Sequence, residues 1–216
     1  SKRSRCKAAR EATSEAYSLD VERGATGAVP PEMGLFQRPA RALRVMGVDP
    51  GLVDTGFGVL EAGPGAVTVV DAGVISTSAS QSLEARLNAI YGAIHRLIQA
   101  REPGLLVVED LYTEYKFPRT AILMGHARGV IYLAARQLGV AVLALAPSEV
   151  KRAITGNGAA GKAQMQRSVQ TLLGLAEPPR PSHVADALGL AVVGMGRVTG
   201  RIPTGRGRRP AARGAS

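Results

Sequence analysis

The sequence predicts an α/β protein with one mixed sheet flanked by helices, and three observations support this prediction. Apolar runs of strand length alternate with longer helix-like stretches along residues 43–197. Short connections join the first three strands, which indicates an antiparallel meander. A helix then separates two apolar strands, an order typical of a parallel pair with a right-handed crossover.

The first strand, at 43–49, is an apolar run that ends in Asp49 and is followed at once by Pro50 and Gly51. A proline and a glycine in succession end a strand. The pattern therefore indicates a buried strand that brings one carboxylate to the edge of the sheet. The alternative is a simple turn residue, because aspartate is common in turns.

A second strand-end acid follows the crossover helix. Strands are expected at 55–60 and 66–75, then a helix beginning near Leu83, and then the buried strand 105–109, which ends in Glu109. Open α/β sheets place their sites at the carboxyl ends of parallel strands. Glu109 is thus a candidate partner of the first acid, the alternative being a solvent-facing carboxylate at the sheet edge.

The second half of the chain predicts four helices and one strand. These are a helix at about 120–138, a strand at 140–145, helices beginning at 147 and 162, and a final helix from His183 to about Met195.

The final helix carries His183 and Asp186, which are three residues apart and so share a face. The other residues of 185–193 are small or apolar, which predicts a buried helix. A bare carboxylate there is costly unless it is paired or bound to a metal. The alternative is an acid in the first turn that the helix dipole stabilises.

We expect these acidic groups and the imidazole to converge on one metal site. Three carboxylates and one imidazole suit Mg²⁺ or Mn²⁺, because oxygen ligands favour hard cations. Phosphodiester-cleaving sites often hold two such ions about 3.5–4 Å apart. The candidate ligands are Asp49, Glu109, His183 and Asp186.

The net charge of +10 is distributed unevenly. Residues 1–42 hold 8 basic and 5 acidic side chains, and 198–216 hold 5 basic and none acidic. In between, 43–110 has 4 basic against 8 acidic residues, whereas 111–180 has 9 against 3. The first part could hold cations and the second phosphates, although basic surfaces are also often merely solvated.

The domain organisation follows from composition. Residues 1–42 and 198–216 lack apolar periodicity, which predicts a disordered N-terminal extension and a flexible basic tail around one domain at 43–197. The only cysteine is Cys6, which favours a reducing compartment. No apolar run approaches the roughly 18–20 residues that span a bilayer. We therefore expect a soluble, cytoplasmic protein without a membrane partner.

Several stretches of the domain, in the same order, resemble the RuvC family of Holliday-junction resolvases. The Asp-Pro-Gly strand is shared with other ribonuclease H-like proteins, whereas the stretch at 155–166 is far more specific. The stretches are Gly-Val-Asp-Pro-Gly at 47–51, Thr-Gly-Phe-Gly-Val at 55–59, Val-Val-Glu at 107–109, Gly-His-Ala-Arg-Gly at 125–129, Thr-Gly-Asn-Gly-Ala-Ala-Gly-Lys-Ala-Gln-Met-Gln at 155–166, and Ala-Asp-Ala-Leu at 185–188.

The resemblance implies a ribonuclease H-like fold and a homodimeric endonuclease that makes paired nicks in four-way DNA junctions. It implies Mg²⁺ as cofactor, with two ions per site and Mn²⁺ as a substitute, and a branch-migration complex as partner. By position it assigns the catalytic and metal-binding roles to the four candidate ligands. The family has either Asp or His at the position of His183.

The resemblance also implies DNA contacts. Lys151 and Lys162 match basic positions that contact the DNA backbone, and Lys116 and Arg119 are close enough in sequence to join them. Tyr112 falls where the family places an aromatic residue near the junction centre, where a ring can stack on an unpaired base. A tyrosine packed within its own loop is the alternative for that position.

Two other functions are compatible with the sequence. One is a less selective ribonuclease H-like nuclease, which would also cleave plain duplexes or RNA–DNA hybrids. The other is a non-catalytic nucleic-acid-binding protein that acts mainly through its basic tails.

Overall fold

The computed structural model describes residues 42–64, 66–111 and 118–202. Nearly all of the predicted N-terminal extension and most of the predicted basic tail lie outside these residues. So do Tyr112 and Lys116, whose predicted DNA contacts therefore stay predictions.

The described strands form one mixed sheet in the order β3-β2-β1-β4-β5. β1 pairs antiparallel with β2, and β2 with β3, whereas β1–β4 and β4–β5 are parallel. The predicted combination of a meander and parallel strands is therefore confirmed. The strands are β1 Arg44–Asp49, β2 Asp54–Gly63, β3 Ala66–Ser76, β4 Leu105–Glu109 and β5 Ala141–Leu145.

Helices cover both faces of this sheet, and each face has its own hydrophobic core. The helices are α1 Leu83–Arg101, α2 Pro118–Gln137, α3 Pro147–Thr155, α4 Lys162–Leu173 and α5 Ser182–Thr199. One core joins the sheet to α1 and α2, and this side is called the α2 face. The other core joins it to α3, α4 and α5, and this side is called the α5 face.

Each helix on the α2 face buries the apolar stripe that its sequence predicts. In α1 the buried side chains are Ile90, Ile94 and Ile98, spaced one helical turn apart. In α2, Ala127 and Ile131 are fully buried. Tyr91 of α1 also donates a hydrogen bond to Gln137 of α2, which ties the two helices together.

On the α5 face, the last helix is buried along most of its length, from Val184 to Met195. It ends at Thr199, beyond the expected end near Met195 and inside the range predicted as tail. Two contacts hold the added turn: Thr199 Oγ1 donates to the Met195 carbonyl oxygen at 2.9 Å, and Arg197 pairs with Glu149 of the distant helix α3. Among the described residues, no helix is long and apolar enough to cross a membrane.

Candidate active site

The alternation of side chains along β1 and β4 places both strand-end acids on the α5 face. Side chains alternate between the faces of a sheet, and Val45 of β1 and Val107 of β4 belong to the α5-face core. Asp49 and Glu109 are an even number of residues further along the same strands, so they point to that face as well. Because Val48 pairs with Val108 in the parallel register, the two acids that follow are neighbours across the strands.

The turn after Asp49 is closed by Thr55. Its hydroxyl donates to the Gly51 carbonyl oxygen at 2.6 Å, and the side chain is completely buried. The turn leads directly into β2, whose residue Gly56 lies opposite Asp49 in the antiparallel register. The Asp-Pro-Gly and Thr-Gly elements of the sequence thus form one structural unit that fixes the position of the first acid.

Helix α5 lies against β1 and β2 with almost no side chain between the backbones. A Cβ atom at Gly47 would collide with the carbonyl oxygen of Ala187, and one at Gly56 would collide with that of His183. Only glycine permits such an approach. The close packing brings His183 and Asp186, on the first turns of α5, to the ends of the strands.

His183 and Asp49 form a direct contact across the site. Their Nδ1 and Oδ2 atoms are 2.7 Å apart. The Asp49 side chain is 11% exposed, whereas that of His183 is 38% exposed. The imidazole is thus the more exposed member of the pair, and one of its two nitrogens is occupied by the buried carboxylate.

Burial is the main cause that raises the pKa of all three carboxylates, and neighbouring acids raise two of them further. Burial, followed by the negative charges of Asp49 and Asp186, raises the pKa of Glu109 to about 7. Burial and then Asp49 raise the pKa of Asp186 to about 6. Burial also raises the pKa of Asp49, although its hydrogen bond with His183 opposes this effect. The site therefore brings three acids together in a poorly hydrated place.

Two lysines from the basic second half stand at the rim of this site. Lys151 of α3 lowers the pKa of Glu109 and of Asp186, and Lys162 at the start of α4 lowers that of Asp49 and of Asp186. These are the two lysines for which the sequence predicts contacts with the DNA backbone. Arg119 is exposed in the first turn of α2 and, within the described part of the chain, makes no contact with the four candidate ligands.

The donor set suits a hard divalent cation, because three carboxylates and one imidazole supply oxygen and nitrogen ligands at one place. The raised pKa values support this fit, since a cation would relieve the repulsion that causes part of them. In the described residues, however, no three His, Cys, Asp or Glu side chains are already arranged around one point that could hold an ion. The contact with His183 uses Oδ2 of Asp49.

Some residues that shape the site carried no role in the sequence analysis. The Gln166 side-chain amide donates to the Pro179 carbonyl oxygen at 2.9 Å, which anchors the chain just before α5. Gly47 and Gly56 determine how close α5 comes. Glycines that recur inside apolar strands are a signal for such close contacts, whereas the bond of Gln166 leaves no trace in the sequence.

Comparisons with known proteins agree with this geometry. The family model described as "Crossover junction endodeoxyribonuclease RuvC" matches residues 45–194. A crossover junction endodeoxyribonuclease RuvC of Moorella thermoacetica is 45% identical over 148 residues, which is 68% of this chain and 88% of that protein. The protein of the same name from Rhodopirellula baltica is 41% identical over 157 residues, 73% of this chain and 88% of its own length.

Solved structures of RuvC are also similar to this chain. RuvC of Thermus thermophilus superposes with a TM-score of 0.66 at 32% identity, covering 75% of this chain and 99% of the other. The structure of T. thermophilus RuvC in complex with a Holliday junction substrate gives a TM-score of 0.67 at 32% identity, with 74% and 99% coverage. The ribonuclease H-like fold expected from the resemblance is thereby confirmed. The chain belongs to the RuvC family of crossover junction endodeoxyribonucleases.

Proposed function

We propose that this protein resolves four-way DNA junctions by metal-dependent hydrolysis of phosphodiesters, in recombination and repair of DNA. The observation that carries the proposal is the convergence of Asp49, Glu109 and Asp186 with His183 at one end of the sheet, beside two lysines. The relatives named as junction endonucleases support the same activity. Such an activity belongs where the DNA is, which favours a cytoplasmic location.

The four candidate ligands are proposed to hold Mg²⁺, with two ions in the site and Mn²⁺ as a substitute. When bound, the metal supplies charge that activates water and stabilises the leaving oxygen. The chain's own contribution is orientation: β1 and β4 fix two carboxylates side by side, and the close packing of α5 fixes the third. His183 holds Asp49 through its Nδ1 atom.

The lysines are proposed to hold the substrate. Lys151 and Lys162 stand on the rim of the acidic site, so a DNA backbone bound to them would pass over the carboxylates. Contacts of this kind position the DNA and make binding dependent on salt. Arg119, Lys116 and Tyr112 are proposed to extend the DNA contact beyond the catalytic site.

We further propose that the protein acts as a homodimer, because a four-way junction offers two equivalent strands to two equivalent sites. Helix α2 supports this with an exposed face that contains Ile122 and Leu133, whose side chains are 61% and 49% exposed. Gly129 lies between them, and a Cβ there would meet nothing within 4 Å. A second copy of α2 could pack closely on this face. A branch-migration complex is a further proposed partner.

The experiment that tests the function compares substrates. A synthetic four-way junction, its component duplex and an RNA–DNA hybrid are incubated with the protein, with and without Mg²⁺. We expect paired, symmetric nicks in the junction alone and only with the metal. Comparable cleavage of duplex or hybrid would instead favour the less selective nuclease. Junction binding without cleavage would favour the non-catalytic binder, and loss of that binding on deletion of 198–216 would assign it to the tail.

A further inference from the structure

The residue after Glu109 turns to the opposite face of the sheet. Asp110 faces α2, and its Oδ1 accepts a hydrogen bond from Nη2 of Arg128 at 2.9 Å and another from the Leu111 backbone N–H at 2.9 Å. The backbone N–H of Asp110 donates to the Leu145 carbonyl oxygen at 2.8 Å. The end of β4 is therefore tied both to β5 and to α2, immediately beyond the catalytic acid.

Arg128 is held firmly for a charged side chain. It is only 12% exposed, its guanidinium lies 5.2 Å from the centroid of the Tyr132 ring, and Nη2 also bonds to the Tyr132 hydroxyl. Cation–π contact with a ring one turn away restricts the orientation of the guanidinium. The Nε atom is buried and has no hydrogen-bond partner among the described residues.

Burying a cation costs free energy unless acids compensate for it. The acid in contact with Arg128 is Asp110, and the next acid along the strand is Glu109, whose pKa the positive charge of Arg128 lowers. Arg128 is thus linked to the candidate active site in two ways. It forms an ion pair with Asp110, the residue after Glu109, and its positive charge also acts electrostatically on Glu109. No other arginine of the described chain has this influence on Glu109.

We propose that Arg128 is a positioning residue of the active site, which acts through Asp110 to hold the end of β4 so that Glu109 stays in register with Asp49. The inference rests on the proposed role of Glu109. Arg128 itself touches no reacting atom in this arrangement, because it lies on the α2 face. The ion pair with Asp110 joins Arg128 to the residue that follows β4, which makes the pair testable as a unit.

The test uses the full-length protein with four changes: Arg128→Met, Arg128→Lys, Asp110→Asn, and Asp110→Asn combined with Arg128→Met. Arg101→Met is the matched control, since it removes another arginine that is paired with an acid, Asp71, far from the site. Single-turnover cleavage of a four-way junction is measured at saturating Mg²⁺. Mn²⁺ binding to the DNA-free protein, junction affinity in Ca²⁺ and the melting temperature are measured in parallel.

For Arg128→Met we expect cleavage about tenfold slower and Mn²⁺ affinity lowered by a similar factor, as is common when a group that supports a metal ligand is lost. Junction affinity should stay within about twofold. Asp110→Asn should act in the same direction, and the double variant should be no worse than Arg128→Met alone. Arg128→Lys should recover part of the rate, because the charge remains. Arg101→Met should leave the cleavage rate, the Mn²⁺ affinity and the junction affinity unchanged.

Parental cleavage and Mn²⁺ affinity in folded Arg128→Met protein would overturn the inference, and so would equal losses in Arg101→Met. If Arg128→Met does not fold, Arg128→Lys and Asp110→Asn provide the test. Parental cleavage and Mn²⁺ affinity in both of these variants would overturn the inference. Glu109→Gln distinguishes a failure of the proposed role of Arg128 from a failure of the proposed active site. An inactive Glu109→Gln beside fully active Arg128 variants refutes only the role of Arg128, whereas an active Glu109→Gln refutes the proposed site.

Discussion

Acidic residues lie at both ends of the sheet, but the two ends differ in whether these acids are paired with arginines. At the end where β1 begins, Glu61 and Asp71 are each paired with an arginine. Arg44 Nε donates to Glu61 at 2.7 Å and Arg101 Nε donates to Asp71 at 2.9 Å. Arg44 also donates to the Arg101 carbonyl oxygen, so the two pairs are connected.

At the end where β1 finishes, Asp110 has an arginine partner, Arg128, but the three carboxylates of the candidate site have none in the described part of the chain. In the described part of the chain, neither Glu109 nor Asp186 has a salt bridge, and Asp49 pairs only with a histidine. Burial and mutual repulsion raise the pKa values there. The difference teaches that a paired acid is compensated within the fold, whereas a cluster of buried acids without such pairs is suited to attract a cation.

The largest expected effect comes from neutralising one acid of the cluster. Asp49→Asn, Glu109→Gln and Asp186→Asn should each slow junction cleavage by a factor on the order of 10³, because a metal ligand worth several kcal/mol of transition-state stabilisation is lost. Junction binding, measured in Ca²⁺ by gel shift, should persist. Glu61→Gln, at the opposite end, is the control. Parental cleavage by all three carboxamide variants would place the site elsewhere.

The next effect comes from the close contact that brings α5 to the site. Gly56→Ala should cost about 1–3 kcal/mol of unfolding free energy, as overpacking commonly does, and should also reduce cleavage, because the new methyl group pushes His183 away. Gly92→Ala in α1 is the control, since its Cβ meets only the flexible end of Arg96 at 3.3 Å. Gly92→Ala should raise the free energy of unfolding by about 0.5–1 kcal/mol. Denaturant unfolding measures both free energies, and equal changes in Gly56→Ala and Gly92→Ala would contradict the prediction.

The acid cluster should also make the stability of the metal-free protein depend on pH. Because the pKa values of Glu109 and Asp186 are raised to about 7 and about 6, the folded protein binds more protons than the unfolded chain between roughly pH 4 and 7. Their contribution to stability therefore falls as the pH rises through that window. Thermal melts from pH 5 to 8 should show this slope. Glu109→Gln should reduce it, most of all between about pH 6 and 7, while the contribution of Asp186 remains. An unchanged slope in Glu109→Gln would assign the effect to groups other than Glu109.

The smallest effect is expected at the paired end. Glu61→Gln should lower the unfolding free energy by less than about 1 kcal/mol, because the Glu61 and Arg44 side chains are 30% and 31% exposed and such ion pairs contribute little. Urea denaturation at low and high salt measures this, and the difference should shrink at high salt. A loss as large as that for Gly56→Ala would show that the paired end is more than a surface network.

Much of the fold follows from local patterns in the sequence. The apolar runs, the turns and the helical stripes each depend on neighbours a few residues apart, so the five described strands and five described helices were predicted in the right order. The end of α5 was not, because its last turn is held by Thr199 and by the pairing of Arg197 with Glu149, a contact from a distant helix. The predicted roles of Tyr112 and Lys116 remain predictions.

The candidate site divides in the same way. The sequence by itself determined that Asp49 and Glu109 stand at the same edge of the sheet, because side chains alternate along a strand and parallel strands end together. It also supplied the resemblance that assigned His183 and Asp186.

Only the tertiary structure decided how these groups meet. His183 contacts Asp49 across 134 positions of sequence, over a distance that glycines on two strands permit. The pairing of Asp110 with Arg128 likewise joins a strand to a helix on the opposite face. The physical reason is that burial and charge compensation depend on which surfaces come together in space, and no local pattern in the chain encodes those distances.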